Sequence, residues 1–498
     1  MKHIQTKKIP NTTLLFIIIA PFTILFYASY VFNPVHMGNV WLYFLQLFAD
    51  TIAITNVGAL WLTIILDVVQ PEHHKRNLLY DPTWIQKNTK TVDVLVPVSS
   101  EPFEIIEETI QKVLHITYPH NTYILDDGAS SAVKRLAEKE HINYIARPSQ
   151  QKSFAKAGNL NYGLASCTGE FFAVLDADHV PQPEFITELL PFFKNEKVAL
   201  VQAPQYYTNT KNFIAAGTAE AQEIFYKYVQ PAKNSYNASF CVGTNMLLRR
   251  KAIDEIGGIA SLNHSEDIWT TILLHEKNWE SVFYNKILTK GRAPETIVAF
   301  FRQQSRWALG GFSLFFTHNP LFNTKLTADQ KVQYFFTTIH YFTAFSMCIY
   351  IFLPIIYLLT NSYPLDILNS ADWPIHYIPY FITIYFLPFF LLGKLTIATA
   401  STALASFSPY LQAFISILLK NKYTWIATGT KKKKAPIIMQ YIWSHVFIIS
   451  LSLFAILVGW YNVYDTLTTT IISFWTLINA YLLFAFLKNG LAYQEENI

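Results

Sequence analysis

The chain has 498 residues, of which 52% are hydrophobic and 14% are charged, and its formal net charge is +4. A chain this apolar is not an ordinary soluble multidomain protein, and its small positive charge gives no indication of a nucleic-acid partner. Its three cysteines, Cys167, Cys241 and Cys348, are too few and too scattered for a disulfide framework or a zinc cluster. The composition therefore predicts a membrane protein.

Two apolar runs, 13–31 and 41–69, open the chain, and each is long enough to cross the ~30 Å hydrocarbon layer of a bilayer. The first run follows a basic start, as a signal peptide would. It is long, however, and lacks a small-x-small cleavage site. We therefore expect it to be a retained membrane anchor.

Short apolar strands alternate with helical patterns in the part of the chain that follows. A strand and turn occupy 91–102, a second strand at 123–130 closes on two aspartates before a glycine, and helical patterns cover 103–114 and 131–140. This alternation is typical of βαβ units, so the sequence predicts an α/β domain with a mainly parallel sheet. Polar residues directly after the strands are then candidates for a binding site.

Four carboxylates and one lysine are candidates for this binding site. Asp126 and Asp127 end one strand, although an Asx turn explains them equally well. Asp176 and Asp178 follow the apolar run 171–175, and alternate residues of an extended segment point the same way. Facing carboxylates favour a hard cation such as Mg²⁺ or Mn²⁺ bridged to phosphate, although the triplet alone is also explained as a strand or turn cap. Lys156, in a Lys-Ala-Gly-Asn turn, is placed to meet a diphosphate unless it is a solvated loop lysine.

Two further motifs lie downstream. A Ser-Glu-Asp triplet at 265–267 precedes a helical pattern at 268–276, where in isolation it would serve as a helix cap. Gln303, Arg306 and Trp307 are spaced to share one helix face, in a pattern that suits an amphipathic helix on the membrane surface. Arg306 is costly to bury without an anion, whereas Trp307 is equally well explained as a membrane-interface anchor.

Four more apolar runs complete the chain. They lie at 335–359, 377–395, 437–461 and 468–487, which makes about six spans in total.

Loop charge predicts the orientation of these spans. Lys or Arg residues occur before the first span, after the second and between the fourth and fifth, whereas 32–40, 360–374 and 462–467 contain none. By the positive-inside rule, both termini and residues 72–331 are expected to be cytoplasmic. The basic residues at this border suit contact with anionic lipid headgroups, and the lysine run at 431–434 is explained either as a topology signal or as a gate that meets phosphate.

The motifs Asp-Asp-Gly, Asp-Ala-Asp, Ser-Glu-Asp and Gln-x-x-Arg-Trp follow one another along the chain. In this order they resemble the processive family 2 glycosyltransferases, the cellulose synthase and hyaluronan synthase group. The segments KAGNLNYGL and DADHVP and the Pro-Glu-Thr at 294–296 are similar to bacterial cellulose synthase catalytic subunits. The resemblance implies a GT-A-like α/β domain inserted between transmembrane helices. It also implies an inverting transfer from a UDP-sugar, with UDP-glucose favoured, to a growing polysaccharide that crosses the lipid bilayer through the protein.

The resemblance divides the chain into four parts. These are a membrane anchor with two spans at 1–71, a cytoplasmic glycosyltransferase domain at 72–294, interface helices at 295–334, and a transmembrane channel region at 335–498 that contains a gating-type loop at 396–436.

It also implies a role for each motif residue. Asp267 would be the general base, and Asp176 and Asp178 would hold Mg²⁺ or Mn²⁺. The residues implied to contact the UDP-sugar are Asp126, Asp127, Lys156, Asp176, Gln303 and Arg306. Those implied to contact the acceptor are Trp307, Cys241, Gly243, Thr244 and Glu266, and the gating loop would use Trp425, Thr428 and Lys431.

The chain departs from the family pattern in several places. The Thr-Tyr-Asn-Glu expected after the first strand is replaced by Val-Ser-Ser-Glu at 98–101, so uracil packing is altered or supplied elsewhere. Phe154 and Ala155 replace His-Ala before Lys156, Ser265 replaces a threonine, and the cation of the gating motif is displaced by one residue.

Two other functions stay open from the sequence. One is a non-processive glycosyltransferase that adds a sugar to a lipid acceptor, against which Gln-x-x-Arg-Trp argues because that motif marks chain-extending members. The other is a non-catalytic nucleotide-binding transporter or partner subunit. A capsule or exopolysaccharide synthase of a bacterial cell membrane fits the composition best.

Overall fold

The computed structural model describes residues 11–69, 80–261, 265–366, 372–419, 438–462 and 465–496. Within these ranges a sheet domain is enclosed in sequence by apolar helices. In chain order the helices and strands are α1 (Asn11–Val31), α2 (Val40–Val69), α3 (Pro82–Lys87), β1 (Val92–Val98), α4 (Phe103–Leu114), β2 (Asn121–Asp126), α5 (Ser131–Lys139), β3 (Asn143–Ile145), α6 (Ala155–Leu164), β4 (Phe171–Val174), β5 (Val180–Pro181), α7 (Phe185–Leu189), β6 (Val198–Gln202), α8 (Phe213–Ile224), α9 (Gln230–Ser235), β7 (Met246–Arg249), α10 (Arg250–Glu255), α11 (Glu266–Glu276), β8 (Glu280–Phe283), β9 (Thr289–Lys290), α12 (Ile297–Thr317), α13 (Ala328–Ile339), α14 (Thr343–Thr360), α15 (Asp372–Tyr385), α16 (Leu387–Leu392), α17 (Ile397–Ala405), α18 (Phe407–Leu418), α19 (Met439–Tyr461) and α20 (Thr466–Glu496).

Seven strands form one sheet in the order β3-β2-β1-β4-β7-β6-β8. Strand β7 is antiparallel to both of its neighbours, and the other pairs are parallel. Helices α4, α5 and α7 cover one face of the sheet and α6, α10 and α11 cover the other, so the central strands are buried on both sides. The predicted α/β domain with a mainly parallel sheet is confirmed.

The site residues gather at one edge of this sheet. Strands β1, β2 and β4 end there, and the antiparallel β7 begins there. We call this the carboxyl edge, and it is where open α/β sheets bind their ligands. Strand β5 directly follows the Asp-Ala-Asp-His segment and forms a small antiparallel pair with β9.

One local prediction in this domain is wrong. The Lys-Ala-Gly-Asn segment was expected to be a turn, but it forms the beginning of α6. Its glycines allow close packing rather than a turn, because a Cβ at Gly158 would lie 2.1 Å from the Ser153 carbonyl oxygen and one at Gly163 would lie 2.5 Å from Leu125. The predicted helices at 103–114 and 131–140 are observed as α4 and α5.

Five helical segments of the described residues are long and apolar enough to cross a membrane: Leu14–Val31, Val40–Ile65, Ala328–Thr360, Met439–Tyr461 and Thr466–Tyr493. The predicted span at 377–395 is divided into α15 and α16. Pro388, in the first turn of α16, has no amide hydrogen to continue the α15 ladder. Each part is shorter than a span, so a sixth crossing stays a prediction.

Helix α12 joins the sheet domain to the apolar helices. Ile297, Phe300 and Phe301 pack with residues of α19 and α20, and Phe312 packs with residues of α18. Residues 397–418 of the predicted gating-type loop form α17 and α18, so that part of it is helical. The predicted gating residues Trp425, Thr428 and Lys431 lie outside the described residues.

A carboxylate that the sequence analysis did not single out is buried among the apolar helices. Asp50 of α2 has no exposed surface. It accepts hydrogen bonds from the Tyr27 hydroxyl at 3.2 Å, the Gln46 amide at 2.8 Å and the Tyr350 hydroxyl at 2.6 Å. These neutral donors tie α1, α2 and α14 together around one acidic side chain.

Candidate active site at the carboxyl edge of the sheet

Asp176, Asp178 and His179 form a cluster after β4. Residues 177 and 178 make a turn in which the His179 amide donates to the Asp176 carbonyl oxygen at 3.0 Å. One ligand atom from each of the three side chains lies within 4.8 Å of the other two. The sequence predicted two aligned carboxylates on an extended segment. The turn that forms instead adds His179, which was missed although it directly follows Asp178.

His179 has one ring nitrogen engaged and one free. Its Nδ1 lies 2.8 Å from Asp178 Oδ1, while Nε2 is buried and has no hydrogen-bond partner among the described residues. Burial alone would lower the pKa of His179, but the Asp178 carboxylate outweighs it and raises that pKa. The two carboxylates fit Mg²⁺ or Mn²⁺, because carboxylate oxygen suits both ions, and His179 is the third group of the cluster.

Lys156 links this cluster to the start of β7. Its Nζ forms an ion pair with Asp176 and donates to the Gly243 carbonyl oxygen at 2.7 Å. Burial would lower the pKa of Lys156, but the charges of Asp176 and Glu266 raise it overall. The ammonium therefore stays charged at the centre of the carboxyl edge.

Gln202, at the end of β6, holds the segment that precedes β7. Its amide nitrogen donates to the Thr244 carbonyl oxygen at 2.8 Å, and its Oε1 accepts from the Val242 amide at 3.0 Å. The Thr244 hydroxyl in turn accepts from the Asp176 amide at 2.9 Å. Sequence reasoning missed Gln202, whose only signal is that a polar residue ends a buried strand.

Gly243 lies where charged side chains from two helices meet. Its φ of +87° favours glycine. A Cβ at this position would lie 3.5 Å from Lys156 Nζ, 3.8 Å from Asp267 Oδ2 and 3.9 Å from Glu266 Oε1. The structure thus brings together four of the predicted site residues that are widely separated in the sequence.

Asp267 has the electrostatic character of a proton acceptor. Burial raises its pKa to about 7, and the neighbouring Glu266 carboxylate adds to this effect, while the Ile268 amide, Lys156 and Arg306 oppose it. A carboxyl group with a pKa near neutrality accepts and releases a proton under working conditions. Ser265 precedes α11 but its side chain makes no capping hydrogen bond, so helix capping does not account for the whole triplet.

Cys241 and Thr244 lie behind the site rather than in it. Both are buried, and the Cys241 thiol donates to the Asp267 carbonyl oxygen at 2.8 Å. Neither side chain has more than 1% of its surface exposed, so a contact of either with an acceptor stays a prediction. They hold the Asp267 and Asp176 segments in place.

Helix α12 carries the Gln-x-x-Arg-Trp residues to the same place. Arg306 is half-buried, and its positive charge opposes the rise in the pKa of Asp267. Gln303 is buried, and its Oε1 has no hydrogen-bond partner within the described ranges. Trp307 is half-buried beside them.

A family model described as "Glycosyl transferase family group 2" matches residues 171–395. This part of the chain is similar to family 2 glycosyltransferases. This match covers the Asp176 cluster, Asp267 and the Gln-x-x-Arg-Trp helix, and it confirms the resemblance noted from the motifs.

Two relatives are similar to this chain over somewhat longer stretches. The chain is 33% identical over 277 residues to cellulose synthase 1 catalytic subunit [UDP-forming] of Komagataeibacter xylinus, covering 54% of this chain and 37% of the relative. It is 30% identical over 293 residues to cellulose synthase catalytic subunit [UDP-forming] of Pseudomonas fluorescens, covering 56% of this chain and 39% of the relative. The chain thus spans less than two fifths of either relative.

A solved structure supports the fold. A mannosyltransferase from Pyrobaculum calidifontis, in complex with GDP-Man and Mn²⁺, superposes with a TM-score of 0.53 at 14% identity, covering 76% of this chain and 100% of that chain.

In the sheet domain, Asp126 and Asp127 both form hydrogen bonds with other groups of the protein. Asp126 is fully buried and accepts hydrogen bonds from the Gly128 amide at 2.7 Å, the Ser130 amide at 2.8 Å and the Tyr144 hydroxyl at 3.0 Å. The Asx turn considered from the sequence is therefore present. A direct contact of either carboxylate with a donor stays a prediction.

Arg147, which the sequence analysis missed, binds Asp127. Its Nε and Nη2 donate to the two Asp127 oxygens at 2.7 and 2.5 Å. The same buried guanidinium donates to the carbonyl oxygens of Gln151, Ser153 and Ala155 at 3.2, 2.9 and 2.9 Å. Arg147 thereby fastens the segment before Lys156 to the end of β2.

Proposed function

We propose that the protein is a membrane-embedded, processive, inverting glycosyltransferase. It polymerises a sugar from a UDP-sugar, with UDP-glucose as donor and a β-glucan as product, and extrudes the chain through its own apolar helices. The observation that carries this proposal is the convergence of Asp267, whose pKa is about 7, with Lys156 and the Asp176 cluster at one edge of the sheet. The two relatives are UDP-forming cellulose synthase catalytic subunits, which supports the proposed donor and product.

The donor diphosphate would lie over the cluster and Lys156. Asp176, Asp178 and His179 would hold Mg²⁺ or Mn²⁺, which when bound offsets the charge on the departing nucleoside diphosphate. Lys156 and Arg306 would add positive charge to the same place. Lys156 must then exchange part of its contact with Asp176 for a phosphate oxygen.

Asp267 would act as the base of the transfer. An acceptor hydroxyl oxygen attacks the anomeric carbon, the bond from that carbon to the diphosphate oxygen breaks, and the hydroxyl proton passes to Asp267. The diphosphate leaves with the bonding electron pair. Attack from the face opposite the leaving group inverts the anomeric centre.

The acceptor would enter from the side of α12. Trp307 and Gln303 lie on that helix, and Gly311 of the same helix packs so closely on Tyr341 that a Cβ would lie 2.3 Å from its ring. Tyr341 would line the beginning of a path for the polymer that leads toward Tyr350 and the apolar helices. Trp443 and Tyr461 are 56% and 89% exposed, so they lie on the outside of α19 and would not line this path.

The orientation proposed from loop charge places this chemistry in the cytoplasm. The segment between α2 and α13 would face the cytoplasm, where nucleotide sugars are made, and the polymer would leave on the other side of the cell membrane.

The deciding experiment uses purified protein in proteoliposomes with UDP-glucose and Mn²⁺ supplied outside. We expect UDP release together with a long polymer that is enclosed in the vesicles and resists an added glucanase until detergent is added. Short or lipid-linked products would indicate a non-processive transferase. Nucleotide binding without UDP release would indicate a non-catalytic protein, and either result contradicts the proposal.

A further inference from the structure

Residues 147–156 form a bridge across the carboxyl edge. The segment begins just after β3, at Arg147, and ends in the first turn of α6, at Lys156. Arg147 binds Asp127 at the end of β2, and Lys156 pairs with Asp176 after β4. In addition, the Lys152 ammonium donates to the Asp127 carbonyl oxygen. The segment therefore passes from the end of β2 to the cluster after β4.

The backbone of this bridge is strained at its centre. Phe154 has φ 59° and ψ 25°, and Ala155 has φ 44°, so two consecutive residues with a Cβ lie in the left-handed region. Residues with a Cβ are disfavoured in this region, because the Cβ approaches the following carbonyl oxygen. The bonds from Arg147 to the Ser153 and Ala155 carbonyl oxygens hold this conformation.

The strain does not serve to bury the Phe154 ring. That side chain is 63% exposed, although its neighbours in α6, such as Leu160, are buried in the core. The exposed aromatic ring and the strained backbone each lower the stability of the fold. Such a combination persists where a ligand uses it.

The position of the bridge selects the part of the ligand that an exposed side chain on it would meet. Asp267 and Gly243 mark the transfer end of the edge, beside β7, and Lys156 with Asp176 marks the diphosphate. The nucleoside must then extend the other way, over the ends of β1 and β2, which is the direction in which the bridge runs. Residues 98–101 after β1 contain no aromatic side chain, and the Tyr144 hydroxyl is already bonded to Asp126.

We infer that Phe154 is the aromatic surface on which the base of the donor nucleotide stacks, and that Arg147 is the residue that positions it. This inference rests on the proposed function and names a residue that sets donor affinity. Stacking needs only a flat apolar face, so the ring acts without a polar partner.

The test is a calorimetric titration of the full chain in detergent with UDP and, separately, with inorganic pyrophosphate, both in the presence of Mn²⁺. We expect Phe154→Ala to weaken UDP binding by about tenfold or more, the range seen when a stacked base loses its aromatic partner. Pyrophosphate binding should not change, and Phe154→Trp should bind UDP as well as the wild type does.

The outcomes separate this inference from the proposed function. If the wild type binds UDP and Phe154→Ala binds it equally well, Phe154 is not the stacking surface while the proposed function stands. An equal loss for UDP and pyrophosphate would mean that the bridge has collapsed, and it would also overturn the inference. If the wild type does not bind UDP, both the inference and the proposed function are contradicted.

A double-mutant comparison tests the role of Arg147. In an Arg147→Lys background the bridge loses its bidentate bond to Asp127, so Phe154→Ala should weaken UDP binding clearly less than it does in the wild type. A full tenfold loss in that background would show that Arg147 does not position the ring.

Discussion

Gly310 of α12 packs directly against Ser265 at the start of α11. A Cβ at position 310 would lie 1.6 Å from Ser265 Oγ and 2.7 Å from Ser265 Cβ. This contact sets how closely the helix that carries Arg306 and Trp307 approaches Asp267. Only glycine at position 310 permits the approach.

We expect Gly310→Ala to displace α12 and to lower the rate of UDP release by at least about tenfold, because small misplacements of reacting groups have large effects on rate. UDP binding should change much less. Adding Ser265→Gly should restore part of the rate. Gly58→Ala is a matched control, since a Cβ there has nothing within 4 Å and α2 gains helix propensity. An unchanged rate in Gly310→Ala would contradict the packing argument.

The raised pKa of Asp267 predicts the pH dependence of the reaction. A base must be deprotonated to act, so the rate at saturating donor should rise with pH and level off above its pKa of about 7. The Glu266 carboxylate contributes to raising that pKa, so Glu266→Gln should lower it and move the acidic limb to lower pH. Initial rates of UDP release between about pH 5.5 and 8.5 measure the acidic limb of the wild type and that of Glu266→Gln. A Glu266→Gln profile that does not move, or moves to higher pH, would contradict the assignment.

The Asp176–Asp178–His179 cluster predicts that metal affinity depends on all three side chains. His179→Ala should weaken Mn²⁺ binding by about 10- to 100-fold, as loss of an interaction in a metal site commonly does, and Asp178→Asn should weaken it further. Electron paramagnetic resonance titration of Mn²⁺ measures this without reference to activity. His115→Ala, at the exposed histidine that directly follows α4, provides the control. Identical Mn²⁺ affinities in His179→Ala and His115→Ala would exclude the imidazole as a ligand.

The hydrogen bonds to Asp50 predict that two substitutions of similar size differ in their effect on stability. Asp50→Leu leaves the donors of Tyr27, Gln46 and Tyr350 without their acceptor, at a cost of about 1–3 kcal/mol for each donor that finds no other partner. Asp50→Asn keeps an acceptor oxygen, and its amide can donate to a rotated hydroxyl. We therefore expect Asp50→Leu to lower the Tm in detergent by several degrees and Asp50→Asn to change it little. Equal Tm values for the two variants would show that the hydrogen bonds do not stabilise the helices.

The sheet domain and much of its edge are predictable from the sequence because the signals are local. Buried strands such as β4 are short apolar runs, and the residues that end them must lie at the carboxyl edge once the strands are parallel. Asp126 and Asp176 are found in this way. Helix α12 has a clear apolar period, so the shared face of Gln303 and Arg306 follows from spacing alone.

The rest depends on contacts between distant segments. The role of Arg147 arises from three carbonyl groups and a carboxylate that only the folded bridge brings together, and Gln202 acts through a segment some forty residues away. His179 joins the cluster because residues 177 and 178 form a turn rather than continuing β4. Burial of Asp50 among tyrosines of other helices leaves no trace in its neighbouring sequence.

The most direct test of the central claim compares Asp267→Asn with Asp254→Asn, a matched change at an exposed aspartate of α10. The measurement is the steady-state rate of UDP release at saturating UDP-glucose and Mn²⁺, with UDP affinity determined for each variant. The account predicts that Asp267→Asn loses at least about a hundredfold in rate and retains UDP affinity, while Asp254→Asn behaves as the wild type. UDP release by Asp267→Asn at the wild-type rate would contradict it.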